Sequence, residues 1–150
     1  MLSRREWLRA SAVGLAGLVV AKRVVAAAPP VVTVYKDPGC ECCAHWVKHL
    51  SSNGFVVTVR DVQDMNEIKT TMHVPAKLQS CHTAVVGKYV IEGHVPASTI
   101  KKFLASKPTA LGLAVPGMPM GSPGMEGGRV DRYDVVSFDR DGTSRVFEKH

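Results

Sequence analysis

The sequence VVTVYKDPGCECCAHWVKHL, residues 31–50, contains three of the four cysteines in this 150-residue chain. The β-branched run Val31–Tyr35 predicts a buried strand, and the apolar spacing that begins at Cys43 predicts a helix. Cys40, Cys42 and Cys43 therefore lie where a strand leads into a helix. The free N–H groups and the positive dipole at the start of a helix favour the thiolate, which binds metals and attacks disulfides. The stretch allows either kind of chemistry.

The composition is that of a globular protein with a weak surplus of positive charge. Hydrophobic residues make up 45% of the chain and charged residues 21%, which indicates one folded domain. The net charge of +6 comes mostly from residues 1–28, since the remainder has 14 Lys/Arg against 12 Asp/Glu. Nucleic-acid binding requires a basic patch or stripe, and no segment is that basic. We therefore expect no nucleic-acid partner.

The N-terminus predicts an export signal. The twin arginines of SRREWL, residues 3–8, precede a 12-residue apolar run and a small-residue end. This run is too short for a membrane-spanning helix, which needs about 20 residues. We predict a twin-arginine signal peptide at residues 1–27 and a mature periplasmic domain at residues 28–150, with no stable membrane span after cleavage. An uncleaved signal anchor is the alternative.

The rest of the pattern predicts an α/β fold. Phe55–Val59 predicts a second buried strand, Gly87–Lys88 a hairpin turn, and Pro96 the start of a helix. The complete order is βαβαββα with Cys-x-x-Cys at the start of the first helix, which predicts a thioredoxin-like core. Alternating residues on both sides of Asp141–Gly142 predict a C-terminal β-hairpin.

Residues 107–129 are so rich in glycine and proline that they predict a long loop without helix or strand. Loops of this length in compact domains are usually functional or disordered. Met118, Met120 and Met125 argue against simple disorder, because flexible linkers favour glycine, serine and charged residues. Met65 and Met72 differ, since their helical spacing predicts core positions.

A second thiol precedes the predicted third strand, at Cys81-His82. Thioredoxin-like proteins usually have a cis-proline at that turn, beside the Cys-x-x-Cys. The predicted fold therefore brings Cys81 and His82 to Cys40 and Cys43, although 38 residues separate the two stretches. Thiolates and thioethers are soft ligands that select Cu(I), whereas Zn²⁺ has no use for methionine. Together with export, the ligand set predicts Cu(I) binding, with more donors than one tetrahedral ion needs.

Other interpretations stay open at this point. Two structural disulfides, Cys40–Cys43 and Cys42–Cys81, would suit an exported protein, although the crowded cluster constrains the bridge geometry. A thiol–disulfide oxidoreductase would use Cys40 as the attacking thiol and Cys43 as the resolving thiol. A copper-dependent redox enzyme, acting on the metal itself, has the same sequence features as a storage protein.

The histidines differ in what their positions predict. His45 and His49 have the spacing of a ligand pair, but they lie off the apolar face of the helix, which predicts a solvated surface. His94 precedes a predicted helix, a position that suits a cap, an exposed residue or a ligand. Trp46 is predicted to lie in the core, close behind the cysteines.

Four longer motifs stand out: CxCCxxW at residues 40–46, SCHTA at 80–84, IEGHVPA at 91–97 and GLAVPGMPxGSPGME at 112–126. Together they resemble the CopG-like family of bacterial periplasmic metal-binding proteins. The resemblance implies a thioredoxin-like core, copper or silver resistance and homeostasis, and copper held by the cysteine cluster. It also implies several copper ions bridged by cysteines and a role in interconverting Cu(I) and Cu(II).

The predicted metal ligands are four cysteines, two histidines and three loop methionines. They are Cys40, Cys42, Cys43, Cys81, His82, His94, Met118, Met120 and Met125. One departure from the family pattern is Glu41, where a glycine is common, and its negative charge favours a bound cation. We expect copper or silver ions as partners, together with other periplasmic copper-handling proteins.

Overall fold

The computed structural model describes residues 28–150, so the predicted signal peptide at residues 1–27 lies outside the described residues. The strands in this range are β1 Val31–Lys36, β2 Val56–Asp61, β3 Thr83–Val86, β4 Tyr89–Glu92, β5 Gly112–Ala114, β6 Asp134–Phe138 and β7 Ser144–Lys149. The helices are α1 Glu41–Ser52, α2 Met65–Thr71 and α3 Ala97–Ser106, with a 3-10 turn at Ala76–Leu78.

The seven strands within residues 28–150 form one sheet in the order β2-β1-β3-β4-β5-β6-β7. β1 pairs in parallel with β2, and β4 with β5, whereas the other neighbours are antiparallel. The predicted βαβαββα order is observed from β1 to α3, and the predicted C-terminal hairpin forms from β6 and β7. The protein is therefore a mixed α/β protein. Within residues 28–150, no helix has the length and apolar character to cross a membrane.

The main core packs α1 and α3 against the sheet. Trp46 and Leu50 of α1 lie four positions apart and are fully buried together with Ile100 and Phe103 of α3. Side chains at such spacings share one face of a helix, and full burial of each stabilises the fold by roughly 1.5–3 kcal/mol. This packing confirms the predicted apolar face of α1 and the core position of Trp46. It fixes α1 so that its first turn, with the cysteines, follows the end of β1.

The prediction of a buried second strand is wrong. β2 lies at the edge of the sheet with β1 as its neighbour, and Val56 and Val59 are exposed. Phe55, just before β2, is the buried residue of this segment. A run of β-branched residues indicates a strand, but it does not distinguish an edge strand from a central one.

The prediction that residues 107–129 contain no strand is also wrong. β5 occupies Gly112–Ala114 and is fully covered between β4 and β6. A Cβ atom on Gly112 would lie only 1.9 Å from the carbonyl oxygen of Val90. Glycine is needed here because it allows the backbones of β4 and β5 to approach closely. A residue that usually interrupts a strand therefore makes β5 possible.

Candidate metal centre

The four cysteines meet at the first turn of α1. Cys40 and Cys43 form a disulfide, and their Cα atoms are 5.3 Å apart. Cys42 and Cys81 are free thiols. The Cys42 sulfur lies 3.5 Å from that of Cys40 and 3.9 Å from that of Cys81. Cys81 therefore faces the Cys-x-Cys-Cys stretch as predicted, and of the two disulfides considered from the sequence only Cys40–Cys43 is formed within the described residues.

Two groups of donor atoms share the Cys81 sulfur. The first contains the sulfurs of all four cysteines, and the second contains Cys81, His82 and His94, with the atoms of each group within 4.8 Å of one another. The Cys81 sulfur lies 3.3 Å from His82 Nδ1 and 3.0 Å from His94 Nε2. Cys81 is thus the junction between a thiol cluster and an imidazole pair.

His94 is held in an orientation that suits metal binding. It is fully buried, which corrects the expectation that this position would suit an exposed residue or a cap. Its Nδ1 donates to the carbonyl of Pro123 at 2.7 Å, so Nε2 presents its lone pair toward Cys81. Burial lowers the pKa of His94, opposed by the Pro123 carbonyl and by Glu126. The ring is therefore neutral at neutral pH, the form that binds metals.

His82 lies deeper, between Trp46 and His94. Its ring centroid is 4.3 Å from that of Trp46 and 5.1 Å from that of His94. Its Nε2 is buried and has no hydrogen-bond partner within residues 28–150. Burial, with His94 and Lys69 acting in the same direction, holds the pKa of His82 well below its usual value. His82 is therefore a neutral, buried imidazole whose Nδ1 faces the Cys81 sulfur, which fits a soft cation.

The Cys81 thiol is protonated when no metal is bound. Burial, reinforced by the neighbouring Cys42 thiol, raises the pKa of Cys81 to about 12. Because a thiol must lose its proton to become a ligand, a metal that binds here releases that proton.

A buried ion pair supports the turn that carries Cys81. Lys69 donates to Glu92 Oε1 at 2.6 Å and to Thr83 Oγ1 at 3.0 Å. The Thr83 hydroxyl donates to Glu92 Oε2 at 2.6 Å, and the Ser80 N–H donates to Oε1 at 2.6 Å. Burial raises the pKa of Glu92, whereas Lys69, Thr83 and Ser80 act to lower it.

This ion pair was not predicted, although the sequence carries one signal for it. Lys69 falls in the i, i+3, i+4, i+7 spacing of the inward face that starts at Met65. It is the buried residue of α2, while Met65 and Met72 are half-buried. A lysine at a core-facing position predicts a buried carboxylate partner, because an unpaired buried charge is costly.

The long loop that joins β5 to β6, residues 115–133, packs against the metal site at a glycine. Gly124 has a φ of +90°, and a Cβ there would lie 2.7 Å from the Cys42 carbonyl oxygen and 3.1 Å from His94 Nδ1. The hydroxyl of Ser80 donates to the carbonyl of Gly117, which ties the start of the loop to the Cys81 turn. The loop therefore contacts both segments that carry the thiols.

The three loop methionines differ in exposure. Met118, next to Gly117, is 52% exposed, whereas Met120 and Met125 are half-buried. The backbone N–H of Met125 donates to the carbonyl of Ser122, and its own carbonyl accepts from Gly121, which fixes a tight turn at this end of the loop. The loop is thus folded against the site, with one thioether open to solvent.

The two histidines of α1 have separate environments. His45 is exposed, as predicted. The same prediction is wrong for His49, which is half-buried and whose Nε2 accepts from the Ala97 N–H at 3.1 Å. This acceptor satisfies one of the free N–H groups at the start of α3. Burial lowers the pKa of His49, opposed by Glu126.

Comparisons with known proteins show what the chain is similar to. Residues 78–125, which include Cys81, His82, His94 and the methionine loop, match a family described as proteins of unknown function, DUF411. Two solved structures described as the copper resistance protein copG, forms 1 and 2, are 46% and 44% identical to the chain. Each alignment covers 81% of this chain and 98% of that structure, with a TM-score of 0.77. Comparison with curated protein sequences found no match.

Proposed function

This chain belongs to the family of the copper resistance protein CopG, and on that basis we propose that it is an exported copper-binding protein of metal resistance and homeostasis. One observation carries the proposal: the Cys81 sulfur joins a cluster of four cysteine sulfurs to two buried, neutral imidazoles. This donor set is soft and suits Cu(I).

The proposed ligands are Cys40, Cys42, Cys43, Cys81 and the two histidines. Reduction of the Cys40–Cys43 disulfide, by two electrons and two protons from a thiol reductant, yields the remaining two thiols. Each thiol would then release its proton to solvent as its sulfur binds Cu(I). Because Cys81 belongs to both donor groups, its thiolate could serve an ion in each group, which supports the proposal of more than one copper.

The loop methionines complete the proposed site. Met118 is the exposed thioether and would be the first to meet an incoming ion, while Met120 and Met125 would add ligands from the folded part of the loop. The contacts of Gly124 and Gly117 with the thiol-bearing segments support this role.

We propose the same fold and location that the sequence predicts. The arrangement β2-β1-β3-β4, with α1 and α3 packed on one core, supports a thioredoxin-like core. Export by the twin-arginine route, with cleavage after Ala27, would deliver the mature domain to the periplasm. Copper or silver ions and other copper-handling proteins are its proposed partners there.

Titration of the purified, reduced protein with Cu(I), in competition with a chromophoric Cu(I) chelator, tests this function. We expect stoichiometric binding, and we expect Cys43→Ser and Cys81→Ser to weaken it strongly. His45→Ala is the matched control, because His45 is exposed and should leave the affinity unchanged. X-ray absorption would report the ratio of sulfur to nitrogen ligands. Absence of stoichiometric Cu(I) binding by the wild-type protein would reject the proposal.

The disulfide favours a second candidate function. A Cys40–Cys43 bridge at the start of a helix, with the Cys42 thiol 3.5 Å from Cys40, also suits thiol–disulfide exchange. The metal-free, reduced protein would then reduce a model disulfide rapidly, and Cys40→Ser would abolish this activity. Turnover of Cu(I) to Cu(II) by the loaded protein would instead indicate redox chemistry on the metal itself.

A further inference from the structure

We infer that Glu92 is a positioning residue for the copper site, acting through the turn that carries Cys81. The inference rests on the proposed function and assigns a role to a residue outside the predicted ligand set. Glu92 is fully buried at the end of β4, and its carboxylate lies beneath the Cys81 turn, defined as Ser80–Thr83.

The Glu92 carboxylate holds the Cys81 turn at both ends. One oxygen accepts from the backbone N–H of Ser80, just before Cys81. The other accepts from the hydroxyl of Thr83, two residues after Cys81. The two anchors flank the ligand, so the position of the Cys81 sulfur depends on the position of this carboxylate.

The residues that follow Glu92 extend this support. The Gly93 N–H donates to the His82 carbonyl at 3.0 Å, and a Cβ on Gly93 would lie 2.6 Å from Ser80 Cβ. The side chain of His94 then contacts the Cys81 sulfur at 3.0 Å. Three consecutive residues therefore fix the distance between Cys81 and His94, one by its side chain, one by its backbone and one as a proposed ligand.

Lys69 keeps the carboxylate in place. It donates to both Glu92 and Thr83, and it is 4% exposed. A buried carboxylate without a partner is strongly unfavourable, whereas one with three donors is stable in a single orientation. The network is fully satisfied without any group of the metal site, so it holds the Cys81 turn before copper arrives. Ligands held this way bind metal more tightly, because less ordering accompanies binding.

Two buried threonines offer a matched comparison. Thr83 and Thr99 are both fully buried, and each hydroxyl has a hydrogen-bond partner. Only Thr83 belongs to the Glu92 network, since Thr99 lies in α3 and contacts His150. Valine has nearly the same shape as threonine, so Thr83→Val and Thr99→Val each remove one hydroxyl from a buried position.

The experiment measures Cu(I) affinity of the reduced protein by chelator competition, together with urea unfolding of each variant. Loss of an outer partner of a metal ligand typically costs about 10–100-fold in metal affinity. We expect Thr83→Val to weaken Cu(I) binding by about tenfold and Glu92→Gln by up to about a hundredfold. Thr99→Val should leave the affinity unchanged at a similar loss of stability.

A metal-free measurement separates positioning from copper chemistry. Maleimide labelling of the reduced protein, read by mass spectrometry, compares Cys81 with Cys42 in the same molecule, and both thiols are half-buried. We expect Glu92→Gln to raise the rate at Cys81 relative to Cys42, because the turn is released.

The outcomes distinguish the two proposals. If the wild-type protein binds Cu(I) and both Thr83→Val and Glu92→Gln bind it as tightly, the role of Glu92 is overturned and the proposed function stands. An equal loss of affinity in Thr83→Val and Thr99→Val also overturns it, because the effect would then follow stability alone. If the wild-type protein fails to bind Cu(I), the proposed function falls, and the role of Glu92 falls with it. Should Glu92→Gln not fold, the threonine pair alone decides.

Discussion

The two turns that carry the cysteines are held in different ways. The cysteine turn, Cys40–Cys43, is made of consecutive residues at the start of α1 and is closed by a disulfide across three positions. The Cys81 turn, Ser80–Thr83, depends on partners far along the chain, since its contact with Glu92 spans 12 positions and that of Glu92 with Lys69 spans 23. One half of the site is therefore local, and the other half exists only when the sheet and α2 are assembled.

This difference predicts that substitutions in the two turns will destabilise the protein by unequal amounts. Substitutions in the cysteine turn should have a small effect on the stability of the fold, because α1 is fixed independently by Trp46 and Leu50 in the core. Changes beneath the Cys81 turn should spread to β3, β4 and the long loop, because these elements share its contacts. Four predictions test the comparison, from the largest expected effect to the smallest.

Gly93→Ala should damage the Cys81 turn most. Gly93 has a φ of +72°, and an added Cβ would lie 2.6 Å from Ser80 Cβ and 2.7 Å from the Val115 carbonyl oxygen. Overpacking and left-handed strain together should lower the free energy of unfolding by about 3 kcal/mol, measured in urea. Gly87→Ala is the control, because its φ is +58° but no atom lies within 4 Å of the added Cβ. A loss of about 1 kcal/mol is expected there, and equal losses would contradict the prediction.

Reduction of the Cys40–Cys43 disulfide should cost less than that. Closing so short a loop removes little entropy from the unfolded chain, which corresponds to roughly 2 kcal/mol. We expect the reduced protein to remain folded, with a lower urea midpoint than the oxidised protein. A Cys40→Ser/Cys43→Ser double variant should not respond to reductant. Unfolding of the wild-type protein on reduction would show that the cysteine turn is not locally supported.

Trp46→Phe should remove a hydrogen bond that connects α1, which carries the cysteine turn, to the segment that carries His94. The indole N–H donates to the Val95 carbonyl at 2.9 Å, next to His94, and phenylalanine leaves this buried carbonyl unpaired. The expected loss is about 1.5 kcal/mol of unfolding free energy, with weaker Cu(I) binding. Tyr89→Phe removes a comparable hydrogen bond, to Pro108, away from the site, and should not change Cu(I) affinity.

The smallest effect should come from protonation of His49. Its pKa is lowered in the folded protein by burial, so the stability of the neutral form is complete above the unfolded value of 6.5. This stability is lost as the pH falls through the lower folded value, because the protonated ring cannot accept from the Ala97 N–H. Urea midpoints should fall more on acidification for the wild-type protein than for His49→Gln. His45→Gln, at an exposed position, should behave like the wild-type protein. If the difference in urea midpoint between His49→Gln and the wild-type protein does not change with pH, the prediction is wrong.

The same contrast explains what the sequence could predict. The strand before the cysteines, the helix after them and the hairpin at Gly87–Lys88 follow from short patterns, and the structure confirms them. The approach of Cys81 to Cys40 and Cys43 was predictable once the order of elements was known. In contrast, β5 depends on a glycine that fits under Val90, and this is a property of the assembled sheet.

The parts that could not be predicted are mostly pairings of buried polar groups. Lys69 and Glu92 lie in different elements, and no spacing rule connects them. His49 has the position of a solvated residue on α1, yet its ring is half-buried because it accepts a hydrogen bond from the Ala97 N–H at the start of α3. The sequence also left open whether Cys40 and Cys43 would be bridged, because two cysteines at this spacing suit a disulfide and a metal equally well.

The close approach of Gly124 to the Cys42 carbonyl and to His94 has a consequence for the time at which the site is assembled. The Cys42–Cys81 contact already spans 39 positions, and Gly124 comes later still in the chain. Contacts between distant positions form late in folding, because the entropy of loop closure opposes them. A route that moves folded proteins across a membrane would therefore carry the four cysteines already assembled into one site. A route that threads an unfolded chain would expose them one by one to an oxidising compartment.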